Sequence, residues 1–412
     1  MTRATVRQCA ILAGGLATRL GAITAETPKP ALMIGNRPFL AWQMRELCRF
    51  GIEEVLFLTG HLSEALRRIV AEIAADLPRA LQIRYSEEPI RAGTGGALFH
   101  AAALLDERFL LCNGDSLFDT NIAALLADAM ADPPDTLARM TVREVADPSR
   151  YGIVALDHGR VTAFHERPPE THIGPGLMNA GIYLLDRRIV ADTTEVCSLE
   201  RDVLPRLAAR GAVRATIGAG YFIDIGIPSD LARAQQELPA ILSRPALLLD
   251  RDGTINIDYG WVGTAARWEF VAGAEAAVRR ATQAGWHVFI VTNQSGVARG
   301  FYDEADVQAL HADITDRLRA HGGTVDDVRY CPFHHSARHA KFRRQSDWRK
   351  PAPGMLLDLA RAWRLNPTRC LMVGDQLTDM HAAAAAGMRG ALFPGGNLAR
   401  FVEPLLQQTE PK

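Results

Sequence analysis

The sequence predicts an α/β protein of two domains, each built on a doubly wound and mostly parallel β-sheet. The chain has 412 residues, which is more than one hydrophobic core usually fills. Short apolar runs alternate with longer amphipathic stretches along the whole chain, a pattern typical of strands joined by helices. The pattern restarts after a proline-bearing connector, so we expect domains over 1–243 and 244–412, with the boundary near Ser243–Pro245.

In the first domain, short apolar runs predict buried strands, and the stretches between them predict helices. The helices are expected over 38–51 and 63–77, with Ser63 as the N-cap of the second and Glu64 in its first turn. The strands are "QCAILAGG" (8–15), "EVLFLTG" (54–60), "FLLCNGD" (109–115) and "GIYLLD" (181–186). In such a sheet, ligands bind at the carboxyl ends of the strands.

The second domain repeats this rhythm with different motifs. Residues 222–245, which lead into this domain, predict a strand, a turn, a helix and the connector, and within the domain a further helix is expected over 274–285. The strands that follow the connector are "ALLLD" (246–250), "HVFIVTN" (287–293) and "CLMVGD" (370–375), and each ends in a polar residue. A shared rhythm without shared motifs indicates a fusion of two domains.

Composition excludes several classes of protein. Apolar residues make up 48% of the chain and charged residues 23%, with a net charge of −1, so bulk charge favours neither nucleic acid nor a membrane surface. The N-terminus has no signal-peptide pattern, and no apolar run approaches the ~20 residues that span a bilayer. The six cysteines are scattered. We therefore predict a cytoplasmic protein with reduced thiols; a homo-oligomer is compatible with the sequence.

The first functional motif is the loop after the first strand. Gly14 and Gly15 allow a tight turn whose N–H groups can approach a phosphate, and Arg19 can add a bidentate contact. Lys29 lies between two prolines, on a stiff loop that can hold its ammonium group in place. Asp115 and Asp224 each follow a strand, where carboxylates beside phosphates are plausible Mg²⁺ ligands.

These motifs, with "GTGGAL" (93–98), "NAGIY" (179–183) and "FIDIGIPSDL" (222–231), resemble the sugar-1-phosphate nucleotidyltransferases over about residues 6–240. The resemblance implies a Rossmann-like fold in which a sugar-1-phosphate oxygen attacks the α-phosphorus of an NTP and pyrophosphate leaves. The residues it implies are Gly14, Gly15 and Gly95 at the nucleotide, Arg19 and Lys29 on the phosphates, and Asp115 and Asp224 on Mg²⁺.

Two positions depart from the pattern of that family. Ala17 stands where a glycine is usual, and Arg167 stands where many relatives carry a lysine that grips the sugar phosphate. Arginine keeps the charge but presents a planar fork. We expect Arg167 to bind substrate, and Glu166 and Asn179 are candidates for contacts to sugar hydroxyls, an interpretation balanced against ordinary surface and strand-end roles.

In the second domain, "DRDGT" places two carboxylates one residue apart. Residues i and i+2 of an extended strand end point the same way, so Asp250 and Asp252 should share a pocket that also needs a cation. Lys350 can supply that cation, and Thr292 and Asn293 can donate to a phosphate. Further carboxylates are available at Asp375 and Asp379.

These four motifs resemble the haloacid dehalogenase-type phosphatases over about residues 246–395. The resemblance implies a Rossmannoid fold with Asp250 as nucleophile and Mg²⁺ ligand and Asp252 as acid, base and carbonyl ligand. Thr292 and Lys350 would hold the phosphoryl group, and Asp375 would complete the metal site with Asp379 beside it. We therefore expect Mg²⁺ in both domains.

Longer stretches such as "YGWVGTAARWEF" (259–270) and "VTNQSGVARGF" (291–301) resemble the heptose-1,7-bisphosphate 7-phosphatases and the related histidinol-phosphate phosphatases. Arg299 is then a candidate for substrate contact. Those relatives often carry a zinc loop, of which Cys331 remains here. The other thiol positions are Phe333, Ser346 and Trp348, so we expect no zinc, since a structural site needs four ligands.

A phosphatase and a nucleotidyltransferase on one chain can share an intermediate. "SEEPIRAGTGGALFHA" (86–101) and "RPFLAWQM" (37–44) resemble the heptose 1-phosphate guanylyltransferases, which favours GTP and heptose phosphates as the small-molecule partners. Alternatives remain open: another sugar or NTP combined with a histidinol-phosphate-like substrate, or a non-catalytic nucleotide-sensing module that regulates the phosphatase.

Overall fold

A computed structural model describes residues 5–15, 18–24, 26–166 and 174–407. The chain forms two compact units that divide after Leu242, one residue before the end of the first predicted domain. Within the described ranges, no helix has the length and apolarity needed to cross a membrane.

The N-terminal unit contains thirteen strands and six α-helices among its described residues. The strands are β1 (Gln8–Leu12), β2 (Met33–Ile34), β3 (Arg37–Pro38), β4 (Glu54–Thr59), β5 (Gln82–Glu87), β6 (Arg108–Asn113), β7 (Ser116–Phe118), β8 (Ala138–Val145), β9 (Ile153–Asp157), β10 (Arg160–His165), β11 (Gly176–Asp186), β12 (Val213–Gly218) and β13 (Phe222–Asp224). The helices are α1 (Phe39–Arg49), α2 (Ser63–Ala75), α3 (Gly93–Ala101), α4 (Ile122–Asp128), α5 (Leu204–Ala209) and α6 (Pro228–Ile241).

The main sheet of this unit has the order β5-β4-β1-β6-β11-β8-β12-β10-β9. The first four strands are parallel, so their carboxyl ends meet at one edge. Strands β4 and β5 extend the sheet on one side of β1, whereas β6 lies on the other side. Doubly wound sheets bind ligands at such a switch point, here between β1 and β6. Core residues cover both faces of the sheet: Ile11 and Phe57 belong to one cluster, and Leu56 and Leu111 belong to the other.

The C-terminal unit contains five strands, all parallel, and six α-helices in the part described. The strands are β14 (Ala246–Leu249), β15 (His287–Asn293), β16 (Asp327–Cys331), β17 (Cys370–Gly374) and β18 (Arg389–Leu392). The helices are α7 (Ala274–Gln283), α8 (Ser295–Arg299), α9 (Glu304–Ala320), α10 (Gly354–Trp363), α11 (Leu377–Ala385) and α12 (Leu398–Gln407). The strand order β16-β15-β14-β17-β18 places β14 at the centre.

The α/β prediction is confirmed, with one difference in strand direction. The first sheet is mixed, because β11 runs antiparallel to both β6 and β8 and because β9 and β10 form a hairpin. The two-residue turn of that hairpin, His158–Gly159, has positive φ at both residues, the geometry that joins antiparallel strands. Apolar runs reveal strands but not their direction.

The start of α2 also differs from the prediction. The N-cap residue is Leu62, in a left-handed conformation and without a side-chain cap. Ser63 is the first helical residue, and its hydroxyl donates to Glu87 instead, at 3.1 Å. Tertiary contact with the end of β5 therefore replaces the predicted capping bond. Glu64 does lie in the first turn of the helix.

Candidate active sites

The N-terminal unit has a cavity of about 330 Å³ at the carboxyl ends of its parallel strands. Residues that follow β1 and β6 line it, together with the loop that carries Lys29 and the start of α3. The predicted residues among them are Gly14, Gly15, Lys29 and Asp115, and the lining residues that were not predicted include Glu88, Arg91, Thr94 and Glu200. The cavity thus collects the glycine loop, a cation and a carboxylate from separate segments.

Lys29 and Asp115 form an ion pair, with Lys29 Nζ 2.6 Å from Asp115 Oδ2. Asp224 lies nearby because β13 pairs with β7 and because the Ile225 N–H donates to the Asp115 carbonyl at 2.9 Å. Burial raises the pKa of Asp224, and the charge of Asp115 raises it further. The negative charges of the two carboxylates repel each other, and a divalent cation bound between them would relieve that repulsion.

Gly226 leaves room for the charged groups beside Asp224. A β-carbon there would lie 2.7 Å from Asp224 Oδ1, 3.2 Å from Arg19 Nη2 and 3.5 Å from Lys29 Nζ. The structure therefore brings four predicted residues together around this glycine: Arg19, Lys29, Asp115 and Asp224. Two cations and two carboxylates in one place can bind triphosphate and metal together.

Gly95 lies elsewhere than the prediction implied. It is buried in α3, and a β-carbon on it would lie 2.6 Å from Cys197 Sγ. The neighbouring Gly93 and Thr94 line the cavity instead. Gly95 thus permits a close approach of α3 to the segment around Cys197, and we assign its role to packing.

The residues predicted to contact the sugar are not among those that line the cavity in the described structure. The Asn179 amide donates to the Tyr183 hydroxyl, and its Oδ1 accepts from the Gly181 N–H at 3.2 Å, so the side chain is already bonded within β11. Glu166 is exposed at the end of β10. Arg167 and Ala17 lie outside the described residues.

Sequence reasoning missed two carboxylates of the cavity. Burial raises the pKa of Glu88, whose Oε2 accepts from the Ala92 N–H at 3.2 Å. Glu200 Oε2 accepts from the Thr94 hydroxyl at 2.5 Å, in a short π-helical segment, Leu199–Val203. Such segments are frequent at functional sites, but the sequence contains no signal for this one.

In the C-terminal unit, the carboxyl ends of β14 and β17 bring three carboxylates together. Leu249 pairs with Val373, and the Asp250 N–H donates to the Val373 carbonyl at 2.9 Å. Ligand atoms of Asp250, Asp375 and Asp379 all lie within 4.8 Å of one another. The neighbouring strands thus juxtapose residues that are more than a hundred positions apart in sequence.

Lys350 is the buried cation of this cluster. Its Nζ lies 2.7 Å from Asp250 Oδ1, 2.7 Å from Asp379 Oδ1 and 2.9 Å from the Val291 carbonyl. Burial lowers the pKa of Lys350, but Asp250 and Asp379 outweigh it, so its pKa is raised. Burial raises the pKa of Asp250 to about 7, because Lys350 offsets only part of the cost and Asp379 adds to it.

The carboxylate cluster fits a divalent metal ion. Asp375 Oδ1 is buried and makes no hydrogen bond to any part of the chain described here, which leaves a lone pair for a ligand. Gly253, with φ of +82°, allows close approach, since a β-carbon there would lie 2.4 Å from Asp375 Oδ2. Oxygen-only donors of this kind suit Mg²⁺.

Asp252 is held by three side chains. The fully buried Arg251 donates from Nη2 to both Asp252 oxygens at 2.9 Å. Gln294 Nε2 donates to Asp252 Oδ2 at 2.9 Å, and Asn256 Nδ2 donates to Asp252 Oδ1 at 3.0 Å. Sequence reasoning missed Arg251 and Gln294, although both adjoin predicted residues. The contacts fix the orientation of the Asp252 carboxylate.

Thr292 and Asn293 end β15 as predicted, but their side chains have different surroundings. Thr292 is buried, and its hydroxyl accepts from Gln294 Nε2 at 2.8 Å. The Asn293 amide bonds both the N–H and the carbonyl of Lys350, each at 3.1 Å. Asn293 therefore positions the backbone of Lys350, a role that differs from the predicted phosphate contact.

A buried histidine, His311, contacts the Arg251 guanidinium. His311 Nε2 lies 3.3 Å from Arg251 Nη1. Burial, with the Arg251 charge, lowers the pKa of His311 to about 3. The ring is therefore neutral at physiological pH and can accept a hydrogen bond from the guanidinium.

We expect acid to destabilise this unit through His311. Between pH 6.5 and about 3, the unfolded chain binds a proton at this residue that the folded chain does not, so the free energy of unfolding falls as the pH is lowered through this range. H311Q keeps an acceptor for Arg251 but cannot titrate. Urea unfolding followed by tryptophan fluorescence should show a shallower loss in H311Q, and equal slopes would contradict this account.

Arg299 and Arg349 form a cationic group in the C-terminal unit. Arg349 directly precedes Lys350, and burial together with the charge of Arg299 lowers the pKa of Arg349. The same two arginines contribute, after burial, to the lowered pKa of His334. Over the described ranges, Arg299 Nε and Arg349 Nη1 are buried atoms without a hydrogen-bond partner. Unpaired donors that repel one another form a site suited to an anion.

Apolar packing fills the region where relatives would carry a zinc loop. Phe342 is a member of a small buried cluster, and Phe333 packs against it. The Arg344 guanidinium lies 3.7 Å from the Phe333 ring centroid. Burial raises the pKa of Cys331, which disfavours the thiolate that a metal requires.

Comparison with known families finds a match within each of the two units. Residues 9–240, more than half of the chain, match the family described as Nucleotidyl transferase. Residues 347–405 match the family described as HAD-hydrolase-like. The chain belongs to the nucleotidyl transferase family, and it carries an additional unit related to HAD-type hydrolases.

Individual relatives refine the second assignment. The chain is 47% identical to the D-glycero-beta-D-manno-heptose-1,7-bisphosphate 7-phosphatase of Rhodopseudomonas palustris. The match covers 40% of this chain and 91% of that relative. It is 41% identical to the protein of that name from Escherichia coli K12, over 35% of this chain and 76% of the relative. The C-terminal unit therefore belongs to the family of these phosphatases.

Among solved structures, the crystal structure of HddC from Yersinia pseudotuberculosis is 29% identical to this chain. It covers 57% of this chain and 100% of its own, with a TM-score of 0.49.

Proposed function

We propose that the chain is a bifunctional enzyme of nucleotide-activated heptose synthesis. The C-terminal unit would remove the 7-phosphate of a heptose 1,7-bisphosphate, and the N-terminal unit would transfer GMP from GTP to the resulting heptose 1-phosphate. The observation that carries this proposal is Lys350, which lies 2.7 Å from both Asp250 and Asp379 in a unit 47% identical to a heptose bisphosphate phosphatase. The use of GTP would place the reaction in the cytoplasm.

The phosphatase reaction would proceed in two steps. An Asp250 oxygen attacks the phosphorus, the bond from phosphorus to the sugar oxygen breaks, and Asp252 gives its proton to the departing alkoxide. Water then attacks the aspartyl phosphate, Asp252 takes the proton, and inorganic phosphate leaves. The contacts from Arg251 and Gln294 hold the Asp252 carboxylate in one orientation and support its role as proton acceptor in the second step.

Lys350 and the metal ligands would stabilise charge during this reaction. The Lys350 ammonium contacts Asp250 Oδ1 and would neutralise charge on the transferring phosphoryl group. Asp250, Asp375 and Asp379 would hold Mg²⁺, with the Asp252 carbonyl as a further ligand implied by family resemblance. When bound, Mg²⁺ supplies charge that stabilises the phosphoryl oxygens.

The cationic group would bind the distal phosphate of a bisphosphate substrate. Arg299 and Arg349 have buried nitrogen atoms that remain available as donors, and Arg349 is adjacent in sequence to Lys350. A substrate with two phosphates can place one at Asp250 and offer the other to these arginines. This arrangement favours a sugar bisphosphate over a monophosphate.

We expect R349M to raise the KM for heptose 1,7-bisphosphate about ten- to a hundredfold, the loss that corresponds to one charge-assisted hydrogen bond of ~1.5–3 kcal/mol. The KM for heptose 7-phosphate, which lacks the distal phosphate, should change little. Phosphate release from both substrates measures the difference. R338M, at an exposed arginine of the same loop, is the control. Equal effects of R349M on both substrates would contradict the assignment.

In the N-terminal unit, an oxygen of heptose 1-phosphate would attack the α-phosphorus of GTP, and the bond to the β-phosphate would break with release of pyrophosphate. Backbone N–H groups of Gly14 and Gly15 would approach the phosphates. Lys29 and Arg19 would neutralise their charge. Asp115 and Asp224 would hold Mg²⁺, which supplies charge to the same oxygens when bound.

The cavity offers support for guanine. Glu88 lines it, with Oε1 2.9 Å from the position that a β-carbon on Gly14 would take. A carboxylate accepts hydrogen bonds from two adjacent N–H donors, and guanine presents such a pair, N1–H and N2–H. Adenine, cytosine and uracil place an acceptor beside the donor on that edge. The motifs at 37–44 and 86–101 favour the same nucleotide.

Phosphate release tests the proposed phosphatase substrate. The full chain with Mg²⁺ would be incubated separately with each anomer of heptose 1,7-bisphosphate, with heptose 1-phosphate and with histidinol phosphate. We expect release from at least one bisphosphate anomer, at a kcat/KM far above that for the other compounds. Preference for histidinol phosphate, or no release from either bisphosphate anomer, would overturn the proposal.

A further inference from the structure

A buried amide in α1 lies beneath the loop that carries Asp115. Gln43 is 8% exposed. Its Nε2 donates to the Asn113 carbonyl at 2.8 Å and to the Ser116 carbonyl at 2.6 Å. These two carbonyls flank Gly114–Asp115, so one side chain bridges both ends of the loop.

The other half of this amide is unsatisfied. Gln43 Oε1 is buried and has no hydrogen-bond partner anywhere in the described structure, an arrangement that is energetically unfavourable. A methionine would fill similar space without burying that oxygen. The two hydrogen bonds that the Gln43 N–H groups donate therefore explain why a glutamine occupies this position.

Other contacts hold the remaining sides of the loop. The Gly114 N–H donates to the Leu12 carbonyl at 3.0 Å, and the Ile225 N–H donates to the Asp115 carbonyl at 2.9 Å. A β-carbon on Gly114 would lie 2.4 Å from the Leu12 carbonyl oxygen. The loop thus packs directly against β1, and Gln43 donates hydrogen bonds to the carbonyls at the two ends of the loop.

We propose that Gln43 is a positioning residue for nucleotidyl transfer, which directs the Asp115 carboxylate toward Lys29 and the divalent metal ion. The inference rests on the proposed function of this cavity. Gln43 contacts the loop backbone and acts through Asp115. Its loss should therefore weaken metal binding and leave the chemistry at saturating metal nearly intact.

Q43M in the full chain tests the proposal. We expect the Mg²⁺ concentration for half-maximal pyrophosphate release to rise about tenfold or more, with kcat at saturating Mg²⁺ within about threefold of wild type. The phosphatase activity of the same chain should not change. M44L, at a fully buried neighbour in α1, is the matched control for helix packing and should leave the Mg²⁺ requirement unchanged.

Mn²⁺ titration followed by electron paramagnetic resonance gives a readout independent of activity. Q43M should weaken one class of Mn²⁺ site, the same class that D115N removes. If Q43M fails to fold, Q43H keeps one N–H donor and should give an intermediate affinity. Unchanged Mn²⁺ affinity in the folded variant would overturn the inference. A wild-type chain without nucleotidyl transfer would overturn the proposed function, while the titration would still test Gln43.

Discussion

Asp250→Asn should reduce phosphate release from heptose 1,7-bisphosphate by at least about a thousandfold. Asparagine preserves the shape of the side chain, and Lys350 keeps its contact with Asp379 at 2.7 Å. The variant nevertheless lacks the carboxylate that forms the aspartyl phosphate, and covalent catalysis cannot begin without it. Initial rates of phosphate release at saturating Mg²⁺ measure the effect.

The same variant should keep its nucleotidyltransferase activity when heptose 1-phosphate is supplied, because Asp250 lies in the C-terminal unit. Pyrophosphate release from GTP is the control reaction. Phosphate release by D250N within tenfold of wild type would show that another group is the nucleophile. Loss of both activities would show that the two sites are not independent.

Asp115→Asn should have the reciprocal effect. The substitution removes a carboxylate whose Oδ2 lies 2.6 Å from Lys29 Nζ and whose charge acts on Asp224. Loss of one preorganised electrostatic group of this kind costs about a hundred- to a thousandfold in rate. We therefore expect pyrophosphate release from GTP and heptose 1-phosphate to fall by that factor.

Phosphate release from heptose 1,7-bisphosphate should be unchanged in D115N, and this reaction shows that the variant chain is folded in its second unit. Accumulation of heptose 1-phosphate in the presence of GTP would be the combined signature. A D115N chain that releases pyrophosphate at the wild-type rate would exclude Asp115 from the metal site.

The sequence predicted several charged groups of the two candidate sites because the constraint on them is local. Asp250 and Gly14 directly follow an apolar run and Asp115 follows one after two residues, and a strand of a parallel sheet delivers its last residues to the ligand-binding edge. Lys29 and Lys350 were recognisable from neighbouring prolines in a resembling motif. Motifs of this kind can be recognised in the sequence without knowledge of the tertiary structure.

The supporting side chains could not be predicted in the same way. Arg251 could equally have pointed to solvent from its position between two aspartates, and only the packed core shows that it turns back to bind Asp252. Gln43 lies seventy positions from the loop that it bridges. Asn293 bonds the Lys350 backbone across a similar separation. Such partners are chosen by tertiary packing.

The direction of strands was also beyond the sequence pattern. The apolar run at 181–186 resembles the runs of the parallel strands, yet β11 is antiparallel to β6. Buried strands present similar apolar sequences in either direction, because burial on both faces removes the alternation that would distinguish them. The connecting turns determine direction.

Conversion of a single substrate to a nucleotide-sugar would require both proposed activities in one chain. The full chain would be incubated with GTP, Mg²⁺ and each anomer of heptose 1,7-bisphosphate, and the products would be identified by mass spectrometry. We expect GDP-heptose with equimolar inorganic phosphate and pyrophosphate, and heptose 1-phosphate without nucleotide-sugar when D115N replaces the wild type. Phosphate release without any nucleotide-sugar from GTP, at either anomer, would contradict it.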